Sequence, residues 1–121
     1  MEKKQFREFF TSTGTMVLGG KNSKNNEEII AQTEPNEIVL HTAKPGSPFV
    51  NIKGKAGTQD ILDAAIFCAK HSQDWRDNQS DVEIHVFKAK YIYKNKGMKE
   101  GTFGVKKFDV IKIKKADIKR L

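Results

Sequence analysis

The chain has 121 residues, 37% hydrophobic and 31% charged, with a formal net charge of +7, which is the length of one ordinary domain with one core. No apolar run approaches the ~18 residues needed to cross a bilayer, and the opening Met1–Phe6 lacks the apolar centre of a secretory signal. A single cysteine, Cys68, excludes an internal disulfide and any thiolate zinc site built by this chain alone, so a cytoplasmic protein without membrane contact is expected.

Phe6–Phe10 and Thr15–Leu18 read as two strands around the turn-like Ser12-Thr13-Gly14, an antiparallel hairpin. Gly19-Gly20 ends the second strand. Asn22 or Ser23 is a suitable N-cap for a first helix with Glu27 and Glu28 early in it. That helix stops before Pro35, whose predecessor is pushed out of the α region. Ile38–His41 is a third strand and Phe49–Ile52 a fourth, with a Pro45-Gly46 turn between them. Gly54–Gly57 is a loop, and Thr58 caps a long helix from about Gln59 to Asp77. Its apolar face is Ile61, Leu62, Ala65, Ile66, Cys68 and Ala69. Asp81–Val86 alternates as a strand with one buried face, Val82, Ile84 and Val86 pointing inward. Lys94–Gly104 is a basic, glycine-rich loop. Phe108–Lys114 is a last strand with Ile111 and Ile113 inward, and Lys115–Leu121 a short frayed end. The order β-β-α-β-β-α-β-β predicts an α+β fold in two layers: two helices against a mainly antiparallel sheet, one domain over residues 1–121.

Charge is segregated along this order. Residues 1–87 hold 10 Lys+Arg against 12 Asp+Glu, net −2, and residues 88–121 hold 12 against 3, net +9. Clustered cations favour a polyanion, because binding releases its condensed counterions. A lysine-rich solvated face is the plain alternative. Segregation and the interleaved Tyr91, Tyr93, Phe103 and Phe108 tilt the reading toward binding by Lys94, Lys96, Lys99, Lys106 and Lys107, with Phe103 read as an inward residue.

The Gly19–Glu28 stretch has the order strand, glycine turn, helix N-terminus. Such a corner presents unpaired N–H groups at the positive end of a helix dipole, where an anion can sit. Gly20 lets the backbone approach closely, and Lys21 and Lys24 add charge. The spacing is not that of a Walker loop. Asn22, Asn25 and Asn26 can read a base edge or a 2′-hydroxyl, or can serve as caps and turn residues. His41, at a strand end, either meets a ligand or is satisfied by backbone. Pro45-Gly46-Ser47 either offers N–H groups and a hydroxyl or only reverses the chain. Trp75 reads as core-rim packing and the Ser72 hydroxyl as bonded to its own helix. No catalytic or metal site is expected. His41, His71 and His85 lack ligand spacing, Cys68 sits on an apolar helix face, and no carboxylate pair is placed for acid–base work.

Read together, these stretches resemble the NFACT-R domain, the RNA-binding domain of the NFACT family, which includes ribosome quality control factors that act on stalled large subunits. The resemblance rests on Gly20-Lys21-Asn22 running through Ser23-Lys24-Asn25 to Asn26-Glu27, on Glu37–His41 followed by Pro45-Gly46-Ser47, on Ala64, Ala65, Ser72 and Trp75, and on Lys96-Gly97-Met98-Lys99-Glu100-Gly101. It covers about Gly19 to Phe103, with Glu37 where the family usually has Asp. It implies a standalone RNA-binding module for tRNA or large-subunit rRNA, without cofactor or metal, with the ribosome or an NFACT-family protein as possible company. The implied contacts are Gly20, Lys21, Asn22, Lys24, Asn25, Asn26, His41, Lys44, Gly46 and Ser47, joined by the C-terminal lysines. A protein-interaction adaptor that docks a basic face on an acidic partner is the alternative, and a nucleic-acid-processing enzyme is a distant third.

Overall fold

The structure, a computed structural model, describes residues 4–121. Met1–Lys3, part of the stretch read for a secretory signal, lie outside the described residues. Six strands form one antiparallel sheet: β1 (Arg7–Phe10), β2 (Met16–Gly19), β3 (Ile38–Thr42), β4 (Val50–Ile52), β5 (Val82–Lys88) and β8 (Asp109–Ile113), in the order β1-β2-β4-β3-β5-β8. Two short strands, β6 (Ile92–Tyr93) and β7 (Gly104–Val105), make a separate hairpin. The helices are α1 (Ser23–Ala31), α2 (Thr58–Lys70), α3 (Gln73–Asn78) and α4 (Lys115–Arg120). The α+β class and the mainly antiparallel sheet are as expected.

Successive strand residues point to opposite faces of a sheet, and here both faces are apolar. Val17, Leu40, Val50, Ile52, Val82, Ile84 and Ile113 pack with the small residues of α2, with Trp75 and with Ile118 of α4. Leu18, Val39, Phe49 and Phe87 point the other way, onto Phe6 and Ile29 of α1 and onto Ile92, Phe103 and Val105 of the β6–β7 hairpin. The sheet is therefore a central layer between two covers, not one of the two layers expected. The neighbours Val17-Leu18 and Val39-Leu40 reach opposite cores.

Other boundaries shift for local reasons. The long helix divides at Ser72, whose hydroxyl accepts the Trp75 N–H at 3.1 Å and donates to the Ala69 carbonyl at 2.7 Å, capping α3. The N-cap of α2 is Gly57 rather than Thr58, and the Asp60 carboxylate takes its N–H at 2.9 Å. Leu62 is 42% exposed, while Ala64 and Phe67 are buried, because the contact arc of α2 is centred one position further on. Residues 115–121 are not frayed. Asp81 accepts the Lys115 N–H at 2.8 Å, and Ile118 of α4 is fully buried against the core with α2. The basic loop read over Lys94–Gly104 is the tip of the β6–β7 hairpin.

Candidate nucleic-acid interface

The glycine corner is built around Asn26. A Cβ on Gly20 would sit 1.9 Å from Asn26 Oδ1, so only glycine fits there. That oxygen accepts the Phe49 N–H at 3.1 Å and ties α1 to the start of β4. Asn25 Oδ1 accepts the Lys21 N–H at 2.9 Å, and the Asn25 amide donates to the Gln5 carbonyl at 3.0 Å. Asn22 is the N-cap of α1, its side chain accepting the Asn25 N–H at 2.8 Å. Asn22 and Asn25 thus hold the backbone of the corner itself, Asn26 ties it to the start of β4, and Asn25 and Asn26 are buried. Lys21, Asn22, Ser23 and Lys24 remain exposed at its tip, and Lys21 Nζ donates to the Lys4 carbonyl.

The Pro45-Gly46-Ser47 turn is similarly anchored. Ser47 Oγ accepts the Thr42 N–H at 3.0 Å and donates to the Pro48 carbonyl at 3.0 Å. Gly46 accepts the Gln73 N–H at 2.8 Å, which packs the turn on the start of α3. Lys44 is exposed and pairs at 3.6 Å with the buried Asp74. His41 lies half-buried against Phe49, ring centroids 4.5 Å apart, with Nδ1 2.8 Å from the Thr42 carbonyl. A carbonyl only accepts, so Nδ1 carries the hydrogen and Nε2 of the neutral ring is an acceptor. Burial holds the His41 pKa below the ordinary 6.5, which keeps that neutral form at pH 7.

Glu27 of α1 joins the corner to the basic hairpin tip. Its carboxylate accepts the Gly101 N–H at 2.7 Å and the Lys94 ammonium at 2.7 Å, and the Lys94 bond is the first cause of its lowered pKa. Gly101 has φ +80°, and a Cβ there would lie 2.8 Å from the Ser23 Cα, so the tip rests directly on the N-terminus of α1. Lys94 also donates to the Lys99 and Thr102 carbonyls, each at 2.7 Å, and lies 4.5 Å from the centroid of the Phe103 ring. Lys94 therefore organises the tip, whereas Lys24, Lys96, Lys99, Lys106 and Lys107 are exposed and, among the described residues, make no ion pair. Phe103 packs inward, edge-on to Phe49 with centroids 5.4 Å apart.

Between the corner, the Pro-Gly-Ser turn and the hairpin lies an open cleft of about 600 Å³. It sits where β2 and β3 end and β1 and β4 begin. Gly20, Lys21, Asn22, Asn26, His41, Gly46 and Ser47 all line it, so residues far apart in sequence meet. Arg7, His71, Arg76, His85 and Phe108 line it too, and the sequence reading did not place them in a site. His85 was legible in part, as an outward position of an alternating strand. It faces His41 directly across the β3–β5 pair. Arg7 donates to the Gly20 carbonyl from β1, a contact that sequence spacing does not reveal. Burial lowers the pKa values of His71 and His85 as well, so the cleft carries neutral imidazoles beside Arg7, Lys21 and Arg76, with Glu100 as the acid in its lining.

Glu37 and the cysteine have other roles. Glu37 accepts the Gly54 N–H at 2.8 Å, the Glu34 N–H at 3.0 Å and Lys53 at 2.9 Å, clamping the start of β3 to the end of β4 at one end of the pair. Burial pushes its pKa up, but these donors more than offset it and the net shift is down. Burial raises the Cys68 thiol to about 12, so it stays protonated and unreactive. Among the described residues no group of three or more His, Cys, Asp and Glu side chains gathers to hold a metal, and no helix is long and apolar enough to cross a membrane.

The sequence matches the family profile described as "NFACT protein RNA binding domain" over residues 5–107. A solved structure, "The structure of the C-terminal of the fibronectin/fibrinogen-binding protein from Streptococcus suis (FBPS)", shares the fold with a TM-score of 0.84 at 20% identity. The match covers 100% of this chain and 50% of that one, so the chain spans half the length of this structural neighbour. No curated protein matches the chain. The profile spans the corner, the His41 strand, the Pro-Gly-Ser turn and the hairpin tip that together wall the cleft, and the chain belongs to the NFACT protein RNA-binding domain family.

Proposed function

We propose that this domain binds structured RNA, tRNA or large-subunit rRNA, in translation or ribosome-associated quality control in the cytoplasm, and that it acts by binding rather than by catalysis. One observation carries the reading: exposed, unpaired lysines of the hairpin stand beside a cleft that already holds Arg7, Arg76 and the corner of α1. Lysines and arginines around the cleft hold phosphates and set the register of the RNA without specifying its sequence. Neutral His41 offers an acceptor to a ribose hydroxyl or a base N–H.

Labelled tRNA, single-stranded RNA and duplex DNA, titrated across a salt series, test this. Affinity for tRNA is expected to be highest and to fall log-linearly with salt. Changing Lys96, Lys99, Lys106 and Lys107 together to Gln should flatten that slope by about 3 and cost on the order of a hundredfold in affinity at low salt. An affinity indifferent to salt, or equal weak binding to all three polyanions, would sink the proposal. Pull-down of a protein partner that survives nuclease would then favour the adaptor.

A further inference from the structure

Beyond the cleft floor, on the same face as Phe87, the outer part of the sheet is uncovered. Strand alternation puts Glu83 and His85 of β5 and Val110 and Lys112 of β8 on this face. Phe108, at the entry to β8, lies on His85 with ring centroids 4.0 Å apart and planes 21° apart, a stacked pair. Phe108 remains 44% exposed and Val110 51% exposed, and neither belongs to either core cluster. A phenylalanine that contributes to no core, yet is held flat by a histidine, is not explained by folding. The charges around it are mainly positive, although Asp109 follows Phe108 directly, on the opposite face of the strand. Lys106 and Lys107 immediately precede it, Lys112 stands beyond Val110, and none of the three is ion-paired among the described residues. Glu83, opposite Lys112 in the register, is the acid on this face. The matched family profile ends at residue 107, so it includes His85, Lys106 and Lys107 but not Phe108.

We infer that the His85–Phe108 pair is a stacking platform for an unpaired nucleobase, with Lys106, Lys107 and Lys112 neutralising the phosphates on either side of it. The inference rests on the proposal that the domain binds RNA and makes it more specific. Phosphate contacts alone do not distinguish a duplex from a loop, whereas within a strand a ring stacks on a base freed from its partner and its neighbours. Phe108 lines the cleft as well, so a strand gripped there by its backbone would bring its next base onto the platform.

The test uses the whole chain, a hairpin RNA carrying 2-aminopurine in its loop, and a blunt duplex of the same stem. Phe108→Ala should weaken binding of the looped RNA roughly tenfold or more and leave the duplex unchanged. Phe108→Trp should retain binding, and its exposed indole should be quenched by the looped RNA alone. Phe10→Ala removes another exposed aromatic, 57% exposed on β1 at the opposite edge of the sheet, and should change nothing. If Phe108→Ala binds the looped RNA like the native chain, or weakens both RNAs equally, the platform falls while RNA binding stands. If the native chain binds neither RNA, the proposed function falls and the platform with it. If Phe108→Ala instead dissolves a dimer seen by sedimentation and leaves RNA affinity intact, the face is a contact between copies and the inference is overturned. Should Phe108→Ala fail to fold, the absence of quenching in Phe108→Trp decides against it.

Discussion

The two faces of the sheet are both apolar, yet they are covered in different ways. One lies under α2, thirteen residues whose inward side is mostly small: Ala64, Ala65, Cys68 and Ala69 are all fully buried. Small side chains let the helix axis approach the strands, and Phe67, Trp75 and Ile118 fill the flanks. The other face is covered by the nine-residue α1, in which Ile29 is the fully buried apolar residue, and by a two-stranded hairpin. A short helix and a hairpin cannot close over six strands. They leave a cleft at one end and a bare strip over β5 and β8, and the uncommitted lysines of the hairpin are beside both. The thorough cover supplies stability. The incomplete one leaves room for the proposed RNA contact, because unfilled area on a sheet face is where a ligand can reach backbone, histidine and aromatic groups together.

The largest expected effect breaks the well-covered face. Trp75→Ala removes a buried ring from the α2 side and should cost about 3–5 kcal/mol in urea unfolding. RNA affinity of the protein that remains folded should be unchanged. A parallel loss of affinity would show that the two faces are not separable.

A smaller effect sharpens the other side of the comparison. Glu27→Gln weakens the link between α1 and the hairpin tip, replacing a carboxylate that holds both Gly101 and Lys94. A stability loss of about 1 kcal/mol is expected, since the site is partly exposed. Amide exchange at Gly101 should become distinctly faster. Unaltered protection there would mean that packing of Gly101 on Ser23, and not the carboxylate, holds the tip.

The smallest effect comes from pH. His41, His71 and His85 have folded pKa values lowered from 6.5, burial being the first cause in each case. Below pH 6.5 the unfolded chain takes up protons before the folded one does. Stability present above pH 6.5 is therefore lost progressively as pH falls toward the folded values. RNA phosphates in the cleft would favour the protonated rings, so affinity should rise a few-fold over the same window. Thermal melts and titrations at pH 7.5 and 5.5 check both signs. A stability that is flat across this range would place the histidines in a more solvated setting.

Local pattern made much of this molecule legible. The alternation of Asp81–Val86, the Pro45-Gly46 turn, the cap before α1 and the packing role of Trp75 follow from near neighbours in the chain, and each appears as expected. Ser72 was legible as a residue bonded to its own helix, but not as a helix boundary. The same hydroxyl geometry serves both, and only the turn of the chain toward Gly46 decides between them. The asparagines were the harder case. Asparagine suits a base edge and a backbone equally well, and it was the approach of β4 and of Gln5 that drew Asn26 and Asn25 inward.

What the sequence by itself determined is the α+β class, the mainly antiparallel sheet, the concentration of cations after residue 87, and the family to which these motifs belong. These depend on period, turn chemistry and composition, which are properties of short stretches. Tertiary structure alone decided that the sheet has two covered faces, that Lys94 and Glu27 bind the hairpin to α1, and that Arg7, His85 and Phe108 reach the same cleft. Those outcomes depend on strand order and register, which bring together residues as much as a hundred positions apart. No local pattern encodes which of several polar side chains will find its partner within the fold and which will be left facing solvent.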